Sequence, residues 1–75
     1  MKELIRNQEH MYSLYEDGSR LIIEVLCGGI GMFEVKVVLD KDECDKYAEK
    51  GEIFLNTLAS DIARDHKRYS DRIIL

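Results

Sequence analysis

Two stretches of strict alternation dominate the chain. From Arg20 to Cys27, Leu21, Ile23, Val25 and Cys27 alternate with Arg20, Ile22, Glu24 and Leu26. From Phe33 to Leu39, Phe33, Val35, Val37 and Leu39 alternate with Glu34, Lys36 and Val38. A period of two sends successive side chains to opposite faces of a strand, so the odd-numbered set predicts a buried face and the even-numbered set a wet one. His10–Glu16 adds a preceding strand with Tyr12 and Leu14 facing inward. Asp17-Gly18 suits a two-residue type I′ turn, which sets Glu16 opposite Ser19, Tyr15 opposite Arg20, Leu14 opposite Leu21, Tyr12 opposite Ile23 and His10 opposite Val25. For the next hairpin, keeping the odd residues together pairs Val25 with Val35, Ile23 with Val37 and Leu21 with Leu39. It leaves a three-residue loop, Gly29-Ile30-Gly31. The same register puts Glu24 against Lys36 and Ile22 against Val38 on the outer face.

After Leu39 the period changes. Asp40 followed by Glu43 reads as an N-cap and capping box, with Cys44, Tyr47 and Ala48 at helical spacing. Gly51 reads as the stop. Leu55, Leu58, Ala59, Ile62, Ala63 and Tyr69 then define a longer amphipathic helix over 52–68, and the chain closes on Arg72-Ile73-Ile74-Leu75. Met1–Arg6 fits a short helix or a frayed end. The predicted fold class is therefore α+β: a three-stranded antiparallel meander followed by two helices packed on one face (β-β-β-α-α), extended by a short N-terminal helix and a C-terminal strand.

A chain of 75 residues is read as a single domain, 1–75. So short a domain buries only about 60% of its unfolded surface, so association with another chain would help it. The formal charge is −4, and both halves are mildly acidic. Such a surface disfavours nucleic acid and anionic membranes, which recruit through basic patches, and suits a basic protein partner. No stretch approaches the roughly 20 apolar residues of a membrane span, and Met1–Arg6 has no apolar leader core, so the expected location is cytoplasmic. Cys27 and Cys44 lie on the apolar stripes of their elements and read as buried free thiols, a single internal disulfide being the alternative.

Candidate chemistry is sparse. His10, expected on the buried face at the sheet rim, and His66, near a helix end, share no metal-ligand spacing with Cys27 and Cys44. Asp40–Gly51 lacks the glycine and glutamate of a calcium loop. Gly28-Gly29-Ile30-Gly31 joins two strands and lacks a phosphate-binding frame. Ser13, Ser19, Ser60 and Ser70 have no base-and-orienter context. The expectation is a non-enzyme without cofactor or metal. Arg64, His66, Lys67, Arg68 and Arg72 form a local basic cluster, consistent with dipole complementation at a helix end. It carries the alternative reading, a nucleic-acid-binding regulator. The order strand, helix, helix over Phe33–Leu39, Lys41–Lys50 and Glu52–Arg68 resembles the ribbon-helix-helix repressors. That resemblance would put Glu34, Lys36 and Val38 toward DNA bases; this set is not basic, and here a hairpin precedes the strand.

The residues assigned to partner binding are those of the outer sheet face: Met11, Tyr15, Ile22, Leu26, Met32 and Val38. With both helices on the opposite face, they form an apolar strip that the N-terminal segment, the Ile73-Ile74-Leu75 tail, a second copy or another protein must cover. The exposed edge of Phe33–Leu39 offers strand addition as a second route, with Arg72–Leu75 as a candidate fourth strand. The functional expectation is a small acidic protein-binding module, of the kind represented by stoichiometric inhibitors and immunity-type proteins.

Overall fold

The computed structural model describes residues 1–27, 31 and 33–74. It is α+β, with five strands where the alternation predicted three. In chain order these are β1 (Lys2–Asn7), β2 (Tyr12–Asp17), β3 (Arg20–Cys27), β4 (Phe33–Val38) and, after the helices, β5 (Ile73–Ile74). They form one antiparallel sheet in sequence order. Helix α1 (Lys41–Lys50), helix α2 (Glu52–Arg64) and a 3-10 helix (His66–Arg72) lie between β4 and β5.

The N-terminal segment is an edge strand, not a helix. Glu3 pairs with Tyr15, whereas Ile5 pairs with Leu14, so Leu4 is an extra residue at a β-bulge. The bulge lets Glu3 share the outer face with Tyr15 while Ile5 joins the inner face with Leu14. At the other margin, Ile73 and Ile74 pair with Val37 and Lys36 of their own chain. The tail is thus an intrachain strand through Ile74; Leu75 lies outside the described residues.

The β3–β4 register is the predicted one: Val25 faces Val35, Ile23 faces Val37, Glu24 faces Lys36 and Ile22 faces Val38. The Leu39 N–H donates to the Leu21 carbonyl at 2.9 Å. The expected loop at Gly29 and Ile30 lies outside the described residues. The β2–β3 register differs from the prediction by two: Leu14 faces Ile23, Tyr12 faces Val25 and Asp17 faces Arg20. The turn is Gly18-Ser19, with only Gly18 at positive φ (+65°), which fits a type II′ turn in place of the type I′ turn at Asp17-Gly18. Sliding by two preserves side-chain parity, so the inward set survives the error. His10 is the casualty: it lies in the β1–β2 turn, exposed, where its N–H donates to Asn7 Oδ1 at 2.9 Å.

The core lies between the inner sheet face and α2. Leu14, Ile23, Val25, Cys27, Val35 and Val37 meet Leu55, Leu58, Ala59 and Ile62, and all are buried. Helix α1 buries no residue fully; Cys44 and Tyr47 are half-buried against the core margin. Its predicted capping box is present: Glu43 N–H donates to Asp40 Oδ1 at 2.8 Å, and Asp40 N–H to Glu43 Oε1 at 3.0 Å. Gly51, at φ +69°, closes α1 by donating to Tyr47 O at 2.7 Å.

The second helix is shorter than predicted. It ends at Arg64, and the chain tightens into the 3-10 helix. Three residues per turn align His66, Tyr69 and Arg72 on one side, which buries Tyr69 and brings Arg72 over its ring at 5.3 Å. The Arg72 guanidinium donates to Val38 O at 3.2 Å and to both carboxylate oxygens of Glu43, and stands 3.5 Å from Asp40 Oδ2. One arginine thereby ties the chain's last turn to β4 and to the start of α1.

Candidate functional site

The helices cover one sheet face only. The other presents Glu3 and Arg6 from β1, Ser13 and Tyr15 from β2, Ile22, Glu24 and Leu26 from β3, and Glu34, Lys36 and Val38 from β4. The continuous apolar strip expected there does not form. Ile22, assigned to partner binding, has 0% of its surface exposed although it points away from the helical layer. It sits in the middle strand between its cross-strand partners Tyr15 and Val38. Long side chains lie over this region: the Tyr15 hydroxyl donates to Glu24 Oε1 at 3.3 Å, and Lys36 Nζ stands 3.6 Å from Glu24 Oε2. Burial pushes the Tyr15 phenol up, and neighbouring Glu24 adds to the shift. Ile22 is thus a small second core beneath a polar bridge, and a partner cannot reach it. Tyr15 and Val38 are half-buried as its walls.

What remains accessible lies at one end of the face. Met11 is 52% exposed and Leu26 is half-buried. The Leu26 N–H donates to Met11 O at 3.1 Å, which continues the β2–β3 ladder by one residue and sets the two side by side. They border a shallow hollow of ≈ 330 Å³ whose walls include Arg6, Gln8, Ser13, Glu24 and Glu34. Met32, also assigned to partner binding, lies outside the described residues. Of the predicted binding residues, the structure therefore brings Met11 and Leu26 together at an open site and withdraws Ile22.

Met11 carries a further feature. It is the one described non-glycine residue at positive φ, +58°. Four residues, Gln8 to Met11, connect the paired Asn7 and Tyr12, and the last of them turns left-handed to enter β2. Glycine or asparagine meets that demand at low cost; an L-residue with a long side chain does so at about 1–2 kcal/mol. A methionine here is both conformationally strained and exposed. Asn7, whose Oδ1 accepts from the His10 N–H, is the one turn signal the sequence offers here, and no glycine or asparagine marks the left-handed position, so sequence reasoning missed both the turn and the strain.

Beyond the two residues of β5, the outer edge of β4 faces a second hollow of ≈ 470 Å³, bordered by Phe33, Glu34, Val35 and His66. Phe33 is 42% exposed and meets the His66 ring edge-on, centroids 5.2 Å apart. The strand expected at the sheet's margin is thus paired with β3 along its length and with β5 at Lys36 and Val37, its edge at residues 33–35 staying open, and Lys36 is engaged by Glu24. This arrangement removes the free strand that the repressor resemblance requires.

Two of the five residues of the basic cluster are taken up by local ion pairs. Arg64 is bound to Asp61 and Arg72 to Glu43 and Asp40. Lys67 and Arg68 remain exposed. Both cysteines are free thiols, which removes the disulfide alternative. Cys27 is buried and Cys44 half-buried; burial raises both, with Asp40, Asp45 and Glu43 adding to the shift at Cys44. A raised thiol holds little thiolate near neutrality and is a poor nucleophile. Among the described residues no three His, Cys, Asp or Glu side chains gather as a metal site, and no helix is long and apolar enough to cross a membrane. No family model matches the chain, and no curated protein or solved structure matches it.

Proposed function

We propose that the protein is a small stoichiometric binding module that docks another protein on its helix-free sheet face, at the end occupied by Met11 and Leu26. One observation carries this reading: Met11 is exposed and left-handed at the same time. Strain of order 1–2 kcal/mol is large in a domain whose total stability is about 0.05–0.15 kcal/mol per residue. Backbone strain concentrates where a side chain is used. The adjacent half-buried Leu26 and the open hollow supply the kind of partly apolar, polar-rimmed surface that protein interfaces use. The net charge of −4 favours a basic partner. An inhibitor or immunity-type protein works in this way, by occupying a surface and not by transforming a substrate.

The test is affinity capture from the source cells with stoichiometry read by light scattering. Met11→Asn tolerates the left-handed backbone, and Leu26→Thr keeps a strand former; both are expected to fold and to lose the complex. Ile53→Asp, at a 74% exposed position on the helical layer, is expected to retain it. A complex that survives both sheet-face substitutions and is lost with Ile53→Asp would place the binding surface on the helices.

A further inference from the structure

The hollow beside Met11 and Leu26 carries an unbalanced charge on its rim. Leu26 faces Glu34 and Glu24 faces Lys36, so the two glutamates stand diagonally across the β3–β4 pair. Diagonal neighbours on one sheet face lie about 7 Å apart. Lys36 reaches Glu24 only at 3.6 Å, near the limit of an ion pair. Glu34 is exposed and pairs with no cation among the described residues. The one cation in the hollow's own wall, Arg6, is committed first to Glu3, to whose Oε1 its Nε and Nη2 donate at 3.0 and 2.9 Å, with Glu24 a weaker charge neighbour and Glu34 left without it. Leu26 adjoins both acids on the β3 side, with Met11 beside it, and Lys36 adjoins them on the β4 side, where Glu24 engages it.

Resting on the docking-face reading, we infer that the hollow receives an arginine side chain presented by the protein partner. The floor and the rim ask for different halves of one residue. An aliphatic stem covers Leu26 and Met11 while its cationic head stays at the rim. A guanidinium offers five donors in a planar fork, enough to reach two carboxylates at once. It is also more weakly hydrated than an ammonium, so it loses less on entering a partly apolar hollow. A carboxylate or phosphate would meet Glu24 and Glu34 head-on. A purely apolar side chain would leave Glu34 without a counter-charge. The acidic chain adds long-range attraction for such a partner.

The test is a titration of the full 75-residue chain, isotope-labelled, with the capped tripeptide acetyl-Val-Arg-Val-amide, followed by backbone amide shifts. Saturable shifts are expected at Met11, Leu26 and Glu34. The isosteric citrulline tripeptide, which lacks the charge, is expected to bind at least tenfold more weakly. Glu34→Gln should weaken the arginine peptide about threefold, and Glu34→Lys should abolish its binding; the exposed position keeps both variants folded. Absence of saturable shifts, equal affinity for citrulline, or indifference to Glu34→Lys would each overturn the inference. If the partner's complex is lost with Met11→Asn yet unaffected by Glu34→Lys, the docking face stands and the arginine assignment falls. If Met11→Asn also leaves the complex intact, both fall.

Discussion

Substitution at Met11 should invert the usual ranking of residues at a strand end. The site is 52% exposed, and a change at such a position ordinarily moves stability by no more than about 0.5 kcal/mol. The left-handed backbone at φ +58° changes the arithmetic. Met11→Gly removes about 1–2 kcal/mol of backbone strain. It also adds about 0.5–1 kcal/mol of unfolded-state entropy and forfeits about 1 kcal/mol of half-buried side chain. The sum is close to zero, so the glycine variant is expected to melt within about 0.5 kcal/mol of the parent. Met11→Val is expected to be worse despite being apolar and a strong strand former. A β-branched side chain is a poor fit to a left-handed backbone, and the expected cost is about 1–2 kcal/mol. In urea, with a slope of about 1 kcal/mol/M for so small a domain, this is a midpoint lowered by about 1–2 M at unchanged slope. The valine variant melting with the parent, or the glycine variant losing more than about 1.5 kcal/mol, would refute the strain. It would also remove the observation on which the docking face rests.

The remaining predictions concern the elements that hold the face in place. Ile22→Ala is expected to cost about 2–4 kcal/mol by urea melt, as a core truncation does, and Ile22→Lys is expected to prevent folding because the ammonium has no route to water; a folded, soluble Ile22→Lys protein would show that the outer face is open there. Arg72→Ala should cost about 2 kcal/mol, since it leaves Glu43, 14% exposed, and the Val38 carbonyl without their donor; Arg72→Lys, which cannot reach both, should recover less than half. Stability should fall in alkali. Burial raises the Cys27 thiol and the Tyr12 and Tyr69 phenols, so the folded state keeps them neutral to higher pH than the unfolded chain does. Their contribution is complete below the unfolded values, about 8.5 for the thiol and 10 for the phenols, and is lost as pH climbs through the folded ones. Melts at pH 7, 9 and 10.5 should therefore show a progressive loss, and a midpoint that rises over this range would contradict it. Thiol titration at pH 8 should label Cys27 only on unfolding and Cys44 slowly in the native protein.

The parts of the fold that alternation specifies were legible because parity is robust. Shifting the β2–β3 register by two left Tyr12, Leu14, Ile23 and Val25 facing the helices, as read. The capping box at Asp40 and Glu43 and the break at Gly51 were legible because each is a local chemical signal with a local structural result. The first strand was not, for two reasons visible in its residues. The bulge at Leu4 interrupts the period, so Glu3, Ile5 and Arg6 do not alternate in step. The turn that follows is closed by a methionine where glycine or asparagine is the ordinary choice. The premature end of α2 was hidden because Tyr69 stands seven residues after Ile62, a helical interval, while its burial is reached through a 3-10 segment.

The candidate site was half legible for a different reason. Parity assigns a side chain to a face, but exposure depends on what its neighbours do, and that is not periodic. Ile22 and Leu26 lie on the same strand, the same face and the same apolar scale, yet one is sealed and the other is not. The difference is position along the strand. Ile22 has a tyrosine and a valine directly opposite on its two sides, and Glu24 draws Tyr15 and Lys36 toward it. Leu26 has Met11 turned left-handed on one side and Glu34, a charged chain with no cation partner among the described residues, on the other. The same two residues that leave Leu26 uncovered are the ones that give the hollow its character, strained on one wall and uncompensated on the other. Closing the hollow from within should therefore be possible: Glu34→Arg can reach Glu24 as Lys36 does, cover Leu26 with its own stem, and occupy the place proposed for the partner's arginine. Such a variant is expected to melt no lower than the parent and to bind the arginine tripeptide at least tenfold more weakly; undiminished binding by a folded Glu34→Arg protein would mean that the peptide enters elsewhere.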